Sequence, residues 1–246
     1  MLLKKWEELP IEMQTDAVRK YYDILKKKQV SLFFKRVFDI VVSFLMLIIL
    51  LPLFLILAVA IKLDSHGPVF YRQVRVTQYD RKFRIFKFRS MVQDADKGSL
   101  VTVQGDTRVT RVGKFVRKFR LDEVSQLLNV LKGDMTFVGT RPEVPRYVDQ
   151  YTATMMATLL LPAGVTSLAS IYYKDEAELL DAAEDTDRAY LGTVLPQKMY
   201  YNLRAIEQFG FWKDIRVMFM TFFAVCGKKY QSDHVVVDKE LELERV

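Results

Sequence analysis

The chain has 246 residues, half of them hydrophobic and 27% charged, which excludes a disordered chain and suffices for one folded domain with appendages. Its net charge of +7 suits nucleic acid, an anionic membrane face or phosphate-bearing substrates, and composition does not choose among them. Cys226 is the single cysteine, and His66 and His234 are far apart, so an internal disulfide is excluded and no Cys- or His-rich metal site is legible.

Residues 1–34 read as a charged, amphipathic helical extension. Trp6, Leu9, Ile11, Tyr21, Tyr22, Ile24 and Leu25 are available to rest on a membrane or on the main body. Residues 35–62 follow as a membrane segment. From Ile40 to Ile61 the chain carries no charge, and as a helix this stretch reaches about 33 Å, enough for a bilayer core. It starts too late and runs too long for a signal peptide, although Ala58-Val59-Ala60 resembles a cleavage site. Lys26, Lys27, Lys28, Lys35 and Arg36 precede it, and Lys62, Arg72, Arg75, Arg81, Lys82 and Arg84 follow. Positive charge marks the cytoplasmic side of a membrane, and here both flanks carry it. A helix that enters, breaks at Leu51-Pro52 and returns satisfies both flanks, whereas a merely kinked spanning helix satisfies one.

Residues 63–226 read as a small cytoplasmic domain, and residues 227–246 as a charged tail. Gly67-Pro68 signals a turn. Val69 to Tyr71 and Phe83 to Phe88 have the composition of short strands, and the second alternates apolar and basic residues, making one face cationic. Residues 113–133 carry two helical stripes: Phe115, Val116 and Phe119, then Leu121, Val124, Leu127, Leu128 and Leu131 up to a cap at Gly133. Residues 134–166 read as loop-rich, 176–188 as an acidic surface helix, and 197–226 as helical with a very apolar end. The fold class is therefore α+β and mostly helical. It combines a re-entrant membrane hairpin with a small domain of amphipathic interfacial helices and short strands.

Asp122 and Glu123 open the second helix amid Arg108, Arg111, Arg117 and Arg120, with Arg141 following. Carboxylates hold Mg²⁺, guanidiniums grip phosphate oxygens in bidentate fashion, and an aspartate can itself attack phosphorus. Acids in a helix's first turn also complement its dipole, so the pair alone does not prove catalysis. Lys87 and Arg89, on the basic strand, join the candidate substrate-binding residues.

The chain resembles the bacterial sugar transferases, the monotopic polyprenyl-phosphate phosphoglycosyl transferases. The resemblance rests on Lys35-Arg36-Val37-Phe38-Asp39, Gly67 to Gln73, Phe86 to Met91, Asp106 to Gly113, Arg120-Leu121-Asp122-Glu123, Gly133-Asp134-Met135, Val138 to Pro142, and Pro162 to Thr166. It implies that Asp122 attacks the sugar-bearing phosphate of a UDP-sugar and releases UMP. Polyprenyl phosphate then takes the phosphosugar from Asp122. Glu123 assists through the metal or as a base, and Mg²⁺ is the implied ion, held by Asp122 and Glu123. Arg117 and Arg141 match phosphate- and nucleotide-binding positions, with Pro142 completing the turn, and the hairpin lies in the inner leaflet of the cytoplasmic membrane. Ser125 and Thr140 stand where prolines are usual, and Asn202 where an aspartate is common.

A non-catalytic membrane adaptor binding anionic lipid would explain the charge and the apolar segment, but not the acid pair among arginines. A nucleic-acid binder is disfavoured, because no recognition motif is present. The sequence names neither the sugar nor the oligomeric state.

Overall fold

The structure, a computed structural model, describes residues 3–93, 95, 107–173, 186–228 and 230. Asp106, most of the acidic stretch 176–188 and most of the tail 227–246 lie outside these residues.

The N-terminal segment rests on the main body. Two 3-10 turns, Trp6–Glu8 and Ile11–Met13, lead into α1, Asp16–Lys26. Thr15 caps α1 by accepting the Val18 N–H at 3.3 Å. Leu9, Met13, Val18, Tyr21, Tyr22 and Leu25 pack with Met155, Leu160, Leu195, Met199 and Leu203 in one buried cluster. Removal of this apolar surface from water is what holds the segment down.

Helix α2 runs from Gln29 to Asp64 and stays helical through Pro52, where a break was expected. Among the described residues it is the one helix long and apolar enough to cross a membrane. Both of its ends are tied to the rest of the protein. At the first end, Arg36 donates to the carbonyls of Val130 (2.7 Å) and Leu131 (2.9 Å), and Lys35 donates to Val138 (2.7 Å). At the second, Asp64 accepts the Val112 N–H at 2.9 Å, and Leu57 and Ile61 pack on Phe88 and Val116. Between these anchors Leu45, Ile48, Ile49, Leu51, Leu55, Ile56 and Val59 are exposed. So many apolar side chains facing outward from one helix mark a surface made for lipid or another apolar partner.

The strands form three small pairs. β1 (Phe70–Tyr71) is antiparallel to β4 (Lys87–Phe88), β2 (Val74–Val76) is antiparallel to β3 (Lys82–Arg84), and β5 (Met135–Val138) runs parallel to β6 (Ala163–Thr166). Two expectations are corrected here. The stretch Phe83 to Phe88 is two strands, because the Phe86 N–H is taken by the Asn129 Oδ1 at 2.8 Å and the Ile85 N–H by the Gln73 carbonyl at 3.0 Å. The loop-rich stretch 134–166 contains the parallel pair, whose Met135–Val138 strand is buried along its whole length and so shows no alternation.

The helical stretch 113–133 also divides. Helix α3, Arg111–Lys118, is capped by Thr110. A 3-10 turn, Leu121–Gln126, follows, and then α4, Leu127–Lys132, which closes at Gly133 with φ 93°. Arg120, at the junction, has φ 51°. A non-glycine residue held in this left-handed region costs on the order of 1 kcal/mol, a strain found most often at functional sites. The C-terminal part is two helices, Leu195–Glu207 and Phe211–Val225.

Candidate active site

Lys87, Arg117, Lys118, Arg120, Asp122 and Glu123 line an open cleft of about 450 Å³. Three separate devices bring these residues together. The 3-10 turn after Arg120 carries Asp122 and Glu123, and the Ser125 hydroxyl donates to the Asp122 carbonyl at 3.1 Å. Ser125, a departure from the family pattern, therefore braces the turn through its side chain. Asn129 is fully buried in α4 and also reaches the Arg84 carbonyl at 3.2 Å. Together with its bond to Phe86 it places Lys87 over the acid pair. Arg117 is pinned by its Nε to the Ser90 hydroxyl at 2.9 Å.

Arg141 arrives from the end of β5. Gly139 and Gly164 lie against each other so closely that a Cβ on Gly164 would sit 2.2 Å from the Gly139 nitrogen and oxygen. No side chain fits at either position, and this close crossing turns the chain out of β5. The Thr140 carbonyl accepts the Gly164 N–H at 2.8 Å, so the usual proline is replaced by a residue that the crossing itself holds. The Arg141 guanidinium then donates to Glu123, and Lys87 lies 3.8 Å from the same carboxylate.

The two acids sit in different electrostatic environments. Burial alone would raise Glu123, but Arg141 and Lys87 pull it down to about 2. Asp122 moves the other way: burial raises it, and Lys87 and Arg117 offset only part of that effect. Among the described residues no side chain hydrogen-bonds or ion-pairs with its carboxylate, which is met by its own backbone N–H. Burial also lowers Lys87, against the pull of Glu123. One carboxylate is thus clamped and fully ionised, while its neighbour is unclamped and more basic. Such divergence between adjacent acids is a signature of a reactive site.

Not every sequence candidate reaches the cleft. The Arg89 guanidinium is buried at the end of α2, donating to the carbonyls of Ser65 (2.7 Å) and His66 (2.8 Å) and to the Ser65 hydroxyl (2.9 Å). It caps the end of α2 and does not line the cleft. Arg108 donates to the Ala95 carbonyl at 2.7 Å, and Arg111 is exposed at the start of α3 near Asp64. Pro142 is buried and its carbonyl accepts from Arg75 at 3.1 Å. Asn202 is buried beside Met199 and does not line the cleft. Sequence reasoning missed Lys118 as a lining residue, the placement of Lys87 by Asn129, and Arg75. For Arg75 the only available signal was a lone cation between two valines.

Among the described residues no three metal-binding side chains come together. The pair Asp122 and Glu123 nonetheless suits Mg²⁺, which commonly takes one or two carboxylates and fills its remaining positions with water and substrate phosphates.

A cleft walled by cations around one acid has the charge to receive an anionic group such as a phosphate. The chain belongs to the bacterial sugar transferase family, whose model matches residues 30–228. It is 36% identical over 199 residues to the UDP-glucose:undecaprenyl-phosphate glucose-1-phosphate transferase of Klebsiella pneumoniae, covering 79% of this chain and 40% of that one. It is 39% identical over 193 residues to the UDP-N-acetylgalactosamine-undecaprenyl-phosphate N-acetylgalactosaminephosphotransferase of Aeromonas hydrophila, covering 77% and 43%. A glucose-1-phosphate transferase of Caulobacter vibrioides is 35% identical over 191 residues, covering 76% of this chain and 67% of the relative. The chain thus spans about two-fifths of the length of the first two of these relatives.

Proposed function

We propose that this protein is a phosphoglycosyl transferase that moves a sugar-1-phosphate from a UDP-sugar to undecaprenyl phosphate. The observation that carries the proposal is the unclamped, burial-raised carboxylate of Asp122 facing a cleft of Lys87, Arg117, Lys118 and Arg120. Family membership and the activities named for the relatives point the same way.

In the first step an Asp122 oxygen forms a bond to the phosphorus bearing the sugar. The bond from that phosphorus to the bridging oxygen breaks, and UMP leaves with the electron pair. In the second, a phosphate oxygen of the polyprenyl acceptor attacks the same phosphorus, and Asp122 departs as a carboxylate. Burial makes Asp122 the better nucleophile of the pair. Arg117, Arg120 and Arg141 bear the charge of the phosphates, and Lys87 draws the attacked pyrophosphate toward Asp122. Glu123, held at about 2, is a weak base, so its role is to orient Arg141 and Lys87 and to hold the ion rather than to remove a proton. Bound Mg²⁺, held by Asp122 and Glu123, would neutralise pyrophosphate charge that otherwise repels a carboxylate.

In the same reading, residues 35–62 re-enter the membrane from the cytoplasmic face. Residues 63–226 form the catalytic domain at the inner leaflet, beside its lipid acceptor. Support comes from the attachment of both ends of α2 to one body while its middle is exposed. Single cysteines at positions 28 and 62, both exposed and one on each flank of the apolar segment, should be labelled from the same side of the membrane, and labelling from opposite sides would exclude re-entry.

The activity test is UMP release over a panel of UDP-sugars with undecaprenyl phosphate and Mg²⁺. Release with at least one sugar is the expected outcome. No release with any, alongside retained lipid binding, would favour a non-catalytic membrane adaptor.

A further inference from the structure

We infer that Arg75 is a positioning residue, holding the Arg141-Pro142 turn so that Arg141 faces the cleft. The inference rests on the functional reading above. Strand β2 lies along the segment that follows β5, and two bonds join them. The Val76 N–H donates to the Glu143 carbonyl at 2.9 Å, and the Arg75 Nη1 donates to the Pro142 carbonyl at 3.1 Å. The other edge of the same guanidinium is fixed by Gln73, whose Oε1 accepts from Nε at 3.0 Å and from Nη2 at 2.7 Å. Gln73 thus sets the plane of the guanidinium, and the guanidinium sets the height of the turn.

Movement of the Pro142 carbonyl is passed to Arg141 along a short, stiff path, because the intervening peptide is planar and the proline φ is fixed. Arg141 in turn meets Glu123. The electrostatics argue against a purely charge-based role for Arg75. Burial is the largest influence and works against its charged form, while the attraction of Glu143 outweighs the repulsion of the nearby Arg141 without cancelling that burial. A cation in such company is worth most for its geometry. A planar fork fixes the directions of its donors, Nη1 toward Pro142 and the Nε–Nη2 edge toward Gln73, which a rotating ammonium does not. Substitution by lysine therefore keeps the charge and removes the brace.

The experiment is a thermodynamic cycle on UMP release with the full chain in membranes, using wild type, Arg75→Lys, Arg141→Ala and the double variant. Arg75→Lys is expected to raise the KM for the UDP-sugar and the inhibition constant of UMP about tenfold, with kcat within about twofold, the loss of roughly one charge-assisted hydrogen bond. In the Arg141→Ala background the same substitution should add nothing further, because a residue acting through Arg141 has no target left. Gln73→Leu, which frees the guanidinium without removing it, should reproduce the pattern and serves if Arg75→Lys does not fold. An unchanged KM, or an equal additional loss in both backgrounds, would overturn the inference, since direct substrate contact or general destabilisation would add. Wild type that releases no UMP would overturn the functional reading and this inference together. Wild-type release with no change in either Arg75→Lys or Gln73→Leu would overturn the inference alone.

Discussion

Two groups of charged residues lie close to β5, and they are built on opposite principles. Beneath the first turns of α2, the Lys35 ammonium meets Asp214 at 2.6 Å and the Val138 carbonyl at 2.7 Å. Asp39 accepts from the Thr136 hydroxyl at 2.7 Å and the Phe137 N–H at 3.2 Å. Each of these side chains is answered by a partner inside the protein, and Lys35 is only 3% exposed. In the cleft, Glu123 is answered by Arg141 and Lys87, but among the described residues Asp122 has no side-chain hydrogen bond or ion pair, only the more distant pull of Lys87 and Arg117. The cations there outnumber the acids. A satisfied cluster fixes a geometry, and an unsatisfied one is ready for a ligand that brings the missing charge.

Breaking the satisfied cluster should cost stability. Lys35→Met leaves Asp214 and the Val138 carbonyl without their donor in a buried setting, a loss of about 3–5 kcal/mol. Thermal unfolding in lipid or detergent checks this, and an unchanged Tm would show that the anchor carries no strain-free pairing of value. The unsatisfied cluster should respond to pH instead. Asp122 must be ionised to attack, and burial places its pKa above the ordinary carboxylate value of 3.8. The kcat/KM for the UDP-sugar should therefore fall about tenfold per unit on the acid side of that raised value. Glu123, at about 2, stays ionised and adds no limb in this range. The sign for stability follows the same shift. A carboxyl group with a raised folded-state pKa stabilises the fold while protonated and loses that contribution as pH rises through the folded value, so ionised Asp122 is a cost at neutral pH. An acid limb lying below pH 3.8 would contradict this assignment.

How much of this was visible in the sequence depended on distance along the chain. Asp122, Glu123, Arg117 and Arg120 are near neighbours, so their crowding could be read directly, as could the cap at Gly133. Lys87 and Arg89 are two apart on an expected strand, which places both on one face. Strand β4 ends at Phe88, however, and Arg89 turns inward to the end of α2. The parallel pair β5–β6 was hidden because its strands are short, almost wholly buried and edged by glycine and proline, which read as loop. The roles of Asn129 and Arg75 depend on partners more than 40 residues away, Phe86 and Pro142, and no periodicity announces them. The resting place of the N-terminal segment was open for the same reason, since an amphipathic face does not say what it covers.

The central claim is that Asp122 is left unclamped in order to take a phosphosugar. Intact-protein mass spectrometry after mixing with the UDP-sugar and Mg²⁺, without acceptor, tests it most directly. The account predicts a mass increase of one sugar-phosphate that maps to Asp122 and disappears on adding undecaprenyl phosphate. Asp122→Asn, which keeps the size of the side chain but not its anionic oxygen, should show no adduct and lose at least about a thousandfold in turnover, with no fall in Tm. An adduct on another residue, or normal turnover in Asp122→Asn, would contradict it.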